Sequence, residues 1–193
     1  MIIGISGKSG TGKSKIAETL ANRLNADIIS FDKISHMSLE KESFKTLVRE
    51  KVSPDVFDAN GNIVRKKLGE VVFQDSKKLN LINTHSEQIM MSIIDELIKS
   101  SKKDYIILEY ALLPLMKYFK MCDFKILVTV SNAVRFERIM NRDGINEEYL
   151  KKREANSPSF IPALFDVVIE NNSNEECSVE NIVNLIKNKE ESC

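Results

Sequence analysis

The sequence predicts an α/β protein with a five-stranded parallel sheet covered by helices, and three observations carry the prediction. Short apolar runs rich in isoleucine and valine alternate along the chain with segments of helical periodicity. The first strand-like run, "MIIGIS", and the first helical run, "KIAETLANRL", flank a glycine-rich loop. At 193 residues, with 42% hydrophobic and 29% charged residues, the chain is long enough for one domain with a sizeable core.

The elements follow in order. "MIIGIS" reads as a buried parallel strand, and Ile16, Leu20 and Leu24 form a stripe at i, i+4 and i+8 on the helix after the loop. Further strands are expected at 26–30 ("ADIIS"), 105–110 ("YIILEY"), 124–130 ("FKILVTV") and 165–171 ("FDVVIEN"). The clearest later helices are 84–100, with His85 near its start, and 131–142, with Ser131 placed to cap it and Gly144 to end it. The stretch 33–83 stands apart, with helix-like segments and one turn signal, "DANGN". Such an excursion suits a subdomain that binds an acceptor. The polar tail "NKEES" is expected to fray.

The loop itself, "ISGKSGTGKS" at 5–14, fits G-x-x-x-x-G-K-[ST] without a mismatch. Its position between strand and helix separates a phosphate-binding P-loop from a chance glycine-rich turn. Gly7, Gly10 and Gly12 free the backbone so that N–H groups from Gly7, Lys8, Ser9, Gly10, Thr11, Gly12, Lys13, Ser14 and Lys15 can gather around one anion. The helix dipole adds to that field. Lys13 then reaches the β- and γ-phosphates and Ser14 ligates Mg²⁺, so the chain is expected to bind a nucleoside triphosphate.

Three further constellations bear on chemistry. Asp32 follows the second strand, where ligands of open α/β sheets bind, and it serves either as a base toward an acceptor hydroxyl or as a helix cap. Glu109 closes a buried strand and serves either to hold Mg²⁺ or to pair with a lysine at the sheet edge. Of the 28 basic residues only seven are arginine, and four of those are Arg135, Arg138, Arg142 and Arg153. Arg135, Arg138 and Arg142 share one helix face, with Ala133, Phe136 and Met140 as the apolar face. Arginine in a lysine-rich chain points to bidentate phosphate contacts from a closing lid, against the alternative of a solvated face mixed with Glu137, Glu147 and Glu148.

Composition excludes other classes. Lysine plus arginine, 28, equals aspartate plus glutamate, 28, so no net field favours nucleic acid or an anionic membrane. No apolar run approaches the roughly 20 residues of a membrane helix, and no signal peptide is expected, since residues 1–6 form a structural strand. Cys122, Cys177 and Cys193 are scattered and odd in number, which suits a reducing compartment and packing or surface roles.

Taken together, these segments resemble dephospho-coenzyme A kinase over residues 2–185. Asp32 in "SFDKISH", the stretch 59–89 with Arg65, Leu68, Phe73 and His85, and "LEYALL" with Glu109 match that family's pattern. So do "RFERIMNRDG" with Arg138 and Arg142, and "FDVVIENN" with Asn171. The chain departs from the pattern at Ser30, Ser86, Ala111, Leu115 and at Asn156 or Ser157.

The resemblance implies a P-loop NTPase three-layer sandwich over 1–193, with an acceptor-binding insertion at 33–83 and a lid at 131–158. It implies ATP and Mg²⁺ as cofactors and phosphorylation of the ribose 3′-hydroxyl of dephospho-coenzyme A, the last step of coenzyme A synthesis. Asp32, Lys13, Arg138 and Arg142 are then catalytic, Ser14 and Glu109 hold the metal, Asn171 lies near the adenine, and Asp32, Arg65 and His85 meet the acceptor. The expected setting is the cytoplasm, as a monomer or weak homo-oligomer, with no nucleic-acid or membrane partner. The rivals are a kinase of the same fold acting on a nucleoside or nucleotide, and a nucleotide-dependent switch or ATPase.

Overall fold

Strand and helix alternate from the first residues, and the reason is visible in the sheet. The computed structural model describes residues 1–144, 150, 159–172 and 175–191. Five strands, β1 (Ile2–Ser6), β2 (Asp27–Ser30), β3 (Ile106–Glu109), β4 (Phe124–Thr129) and β5 (Val167–Glu170), form one sheet in the order β2-β3-β1-β4-β5. All five coincide with the apolar runs. β1 lies at the centre, parallel to both β3 and β4. β3 is buried along its whole length, as a continuous apolar run in a parallel sheet requires.

The chain divides into two compact units, residues 1–29 with 101–193, and residues 30–100. In the first, α1 (Lys13–Leu24) and the C-terminal α7 (Glu175–Glu191) pack together and cover the sheet. Ile16, Leu20, Ile182 and Ile186 are essentially inaccessible to solvent, each contributing about 1.5–3 kcal/mol by burial. Behind β1, a Cβ on Gly4 would lie 2.7 Å from Cys122 Sγ and 3.0 Å from Leu113, so only glycine admits this approach. Burial pushes the Cys122 thiol up to about 12, against the weaker pull of the Lys125 cation.

The segment "NKEES" is helical as far as the described residues run. α7 runs to Glu191 because side chains tether it: Lys189 Nζ bonds Asp166 Oδ1 at 2.7 Å, and the Tyr105 hydroxyl donates to Glu190 at 2.7 Å. Burial opposes a low pKa at Asp166, yet the Lys189 ammonium and the Lys125 N–H hold its carboxyl below the usual value.

The second unit contains the stretch 33–83. It consists of α2 (Phe31–Ser38), α3 (Glu42–Lys51), α4 (Arg65–Val72) and α5 (Ser76–Ser100), with α2, α3 and α4 packed on α5. Its own core centres on Phe44, Val48, Val56, Leu68 and Val72. "DANGN" is the turn it was read to be. Asp58 Oδ1 accepts from the N–H groups of Asn60 and Asn62 at 2.9 and 2.8 Å, and Gly61 takes φ +76°.

α5 starts eight residues before the expected helix, so His85 lies inside it rather than near its start. The overlooked start signal is Asp75, whose Oδ1 accepts from the N–H groups of Lys77 and Lys78 at 2.9 and 3.2 Å. The cap read for Asp32 is also corrected. Ser30 is the N-cap residue of α2, and Asp32 is the second residue inside the helix, where its charge suits the dipole without capping.

Candidate functional site

The loop between β1 and α1 takes the shape its glycines permit. Gly10 and Gly12 adopt φ +83° and +87°, and Gly12 is the N-cap residue of α1. Thr11 closes the turn on Lys8, its hydroxyl donating to the Lys8 carbonyl at 2.9 Å and its N–H at 3.3 Å. The N–H groups of the first turn of α1, which have no carbonyl within the helix to bond, open from this loop, an arrangement that binds phosphate.

Sheet register brings Glu109 to the same place. β3 lies beside β1 with Glu109 opposite Ile5, two residues before Gly7. The Glu109 carboxylate is buried, 3.6 Å from the Lys13 ammonium, and accepts a 3.3 Å hydrogen bond from the Ser14 hydroxyl. The expectation of a lysine partner at the sheet edge is thus answered by the P-loop lysine itself. A buried carboxylate oxygen beside a serine hydroxyl is a hard-oxygen donor set that fits Mg²⁺. Among the described residues no three His, Cys, Asp or Glu side chains cluster as a metal cage.

The arginine helix, α6 (Asn132–Asp143), is capped by Ser131, whose side chain accepts from the Val134 N–H at 3.4 Å, and ends at Gly144 with φ +64°. Its buried face is not the expected Ala133, Phe136 and Met140. Ala133 is exposed, and the buried positions are Arg135 and Ile139. The reason is the surface it meets: α6 packs on the P-loop backbone, where carbonyls need donors. Arg135 Nη1 donates to the Ser9 carbonyl at 3.2 Å and Arg142 Nη2 to Ser9 Oγ at 3.3 Å. Arg138 Nη2 donates to the Asn171 carbonyl at 3.3 Å, while Arg142 also grips Asp143 at 2.7 and 3.1 Å. Residues 145–149 and 151–158 of the expected lid, Arg153, Asn156 and Ser157 among them, lie outside the described residues.

Asn171, just after β5, is buried, and its side-chain amide donates to the Thr11 carbonyl at 2.9 Å. Gly12 is glycine for this reason, since a Cβ there would lie 2.3 Å from Asn171 Nδ2. Lys8, Ser9, Gly10 and Gly12 are partly exposed, and Ser14 and Lys15 lie at the surface.

The residues read as acceptor-facing all belong to the unit 30–100. Asp32 is exposed on α2, and Arg65 is exposed as the first residue of α4. His85 stacks on Phe44 with ring centroids 6.3 Å apart, and its buried Nε2 has no hydrogen-bond partner among the described residues. Ser86, a departure from the family pattern, bonds Ser38 Oγ at 2.9 Å, so its hydroxyl is satisfied within the unit. The residue that sequence reasoning passed over is Arg135, noted on the helix face but not assigned to the site. The signal available was its place in the arginine run.

Comparison with known proteins gives the same direction. A family model described as dephospho-CoA kinase matches residues 1–176. A Fusobacterium nucleatum subsp. nucleatum protein named dephospho-CoA kinase is 36% identical over 181 residues, covering 91% of this chain and 92% of that one. An Aquifex aeolicus protein of the same name is 31% identical over 154 residues, covering 78% and 77%. Among solved structures, a Thermus thermophilus protein superposes with TM-score 0.77 at 23% identity, covering 97% of each chain. The dephospho-CoA kinase from Campylobacter jejuni does so with TM-score 0.63 at 22% identity, covering 96% and 95%. At these identities the structural likeness speaks for the fold.

Proposed function

The chain belongs to the dephospho-CoA kinase family, and from that premise we propose that it transfers the γ-phosphoryl group of ATP to the ribose 3′-hydroxyl of dephospho-coenzyme A. The observation that carries the reading, beside the family match, is the convergence of Lys13, Ser14 and Glu109 at the mouth of a complete P-loop.

Phosphoryl transfer asks the protein for positioning and for charge neutralisation rather than for covalent chemistry. In this reading the loop amides and Lys13 hold the β- and γ-phosphates in line with the acceptor. Ser14 and Glu109 would hold Mg²⁺, which when bound would neutralise phosphate charge. Asp32 accepts the proton of the 3′-hydroxyl as its oxygen attacks phosphorus and the bond to the β-phosphate oxygen breaks, giving ADP. Arg138 and Arg142 stabilise charge spread over the transferring oxygens, with Arg142 exchanging Asp143 for phosphate. Arg65 and His85 contact the acceptor, and Asn171 serves the nucleotide end of the site.

The reading carries with it a cytoplasmic setting, a monomer or weak homo-oligomer, and no nucleic-acid or membrane partner. No helix among the described residues is long and apolar enough to cross a membrane. The test is thermal stabilisation by candidate acceptors beside a non-hydrolysable ATP analogue. Dephospho-coenzyme A should raise the midpoint, whereas a response to a nucleoside or nucleotide alone would transfer the proposal to that acceptor.

A further inference from the structure

Two carbonyls of the P-loop are held by side chains from outside it, and both holders are buried. The Ser9 carbonyl accepts from Arg135 of α6, at 3.2 Å, and the Thr11 carbonyl from Asn171 after β5, at 2.9 Å. Each holder is only 2% exposed. Arg135 is further fixed by its stem, since a Cβ on Gly10 would lie 2.9 Å from its Cγ, and by its guanidinium lying 4.9 Å from the centre of the Phe136 ring.

A trans peptide is planar, with C=O and N–H pointing in opposite directions. Fixing the Ser9 carbonyl therefore fixes the N–H of Gly10, and fixing the Thr11 carbonyl fixes the N–H of Gly12. We propose that Arg135 and Asn171 are positioning residues that set the P-loop's phosphate-binding N–H groups by pinning the carbonyls of alternate peptides. Neither acts by touching phosphate. Because the Asn171 NH₂ is spent on Thr11, its contribution falls on phosphate binding and not on the choice of base.

This inference rests on the loop being the ATP phosphate site, and binding of inorganic tripolyphosphate to the unaltered protein tests that premise separately. Failure of the wild-type chain to bind tripolyphosphate removes the premise. Given wild-type binding, calorimetry on Arg135→Met, which keeps the stem and drops the donors, should show affinity for tripolyphosphate, ATP and GTP reduced by a similar factor of roughly ten or more. Asn171→Ala should do the same and leave the ATP-to-GTP ratio unchanged. Arg135→Lys, which retains a cation and donors, should recover part of the loss.

Folded variants that bind tripolyphosphate within twofold of wild type would overturn the proposal. So would an Asn171→Ala protein that loses ATP selectively over tripolyphosphate, because the side chain would then serve the base. Should Arg135→Met fail to fold, Asn171→Ala and Arg135→Lys decide the question at the two peptides independently.

Discussion

Glu109 Oε1 stands 3.6 Å from the Lys13 ammonium and accepts the Ser14 hydroxyl at 3.3 Å, so one carboxylate at the end of β3 organises both functional side chains of the P-loop. Glu109→Gln keeps the shape and removes the charge. On the proposed reading of Glu109 as a Mg²⁺ ligand, Lys13 then remains available to phosphate while the metal loses an anionic ligand. A titration of turnover against Mg²⁺ should show the requirement raised by roughly ten- to a hundredfold, with Mg²⁺-free ATP bound no more weakly. An unchanged Mg²⁺ dependence would leave Glu109 as a partner of Lys13 only.

Asp32 is exposed near the start of α2 and caps nothing, so its removal costs the fold little. Asp32→Asn should lower kcat by roughly 10²–10⁴ if the carboxylate takes the acceptor's proton. The dissociation constant for ATP should stay within twofold. Parallel losses in turnover and in ATP affinity would make Asp32 a structural residue.

Asp166 ties β4 to α7 through the Lys125 N–H and the Lys189 ammonium. Burial pushes its carboxyl upward, but those two donors prevail and hold it below the usual carboxylate value. A carboxyl depressed in the folded state contributes stability at pH values above its unfolded pKa and loses that contribution as pH falls through the folded value. Tm should therefore decline as the pH drops below about 4. Asp166→Asn should lower Tm near neutral pH and shallow the acid decline, as thermal melts from pH 2 to 7 would record.

Cys122 is buried against Gly4, with its thiol pushed up to about 12. Thiolate is the reactive form, so the folded chain should protect this residue. In a Cys177→Ser, Cys193→Ser background, a disulfide reagent at pH 8 should react only after denaturant is added. Rapid reaction in the native buffer would contradict the burial described.

The sheet was legible because its strands are apolar runs with no competing period, and the P-loop because its residues carry their function in local spacing. Helix boundaries were less so. α5 reads as starting near His85 since residues 76–83 lack a clean apolar stripe, and its true start depends on the Asp75 side chain. α6 was misread for a deeper reason. Periodicity assigns the buried face to apolar residues, yet this helix rests on polar backbone, so Arg135 is buried and Ala133 is not. The partnership of Asn171 with Thr11 spans 160 residues and left no local trace. The assignment of Arg65 and His85 to the acceptor rests on resemblance alone, since neither has a spacing that marks chemistry.

The most direct test of the account is product analysis. The protein would be incubated with Mg·ATP in the presence and absence of dephospho-coenzyme A, with ADP and product followed together by mass. The account predicts ADP release that depends on dephospho-coenzyme A, matched one to one by a product heavier by one phosphoryl group on the ribose 3′-oxygen. ADP release indifferent to that acceptor, with no phosphorylated product, would contradict it.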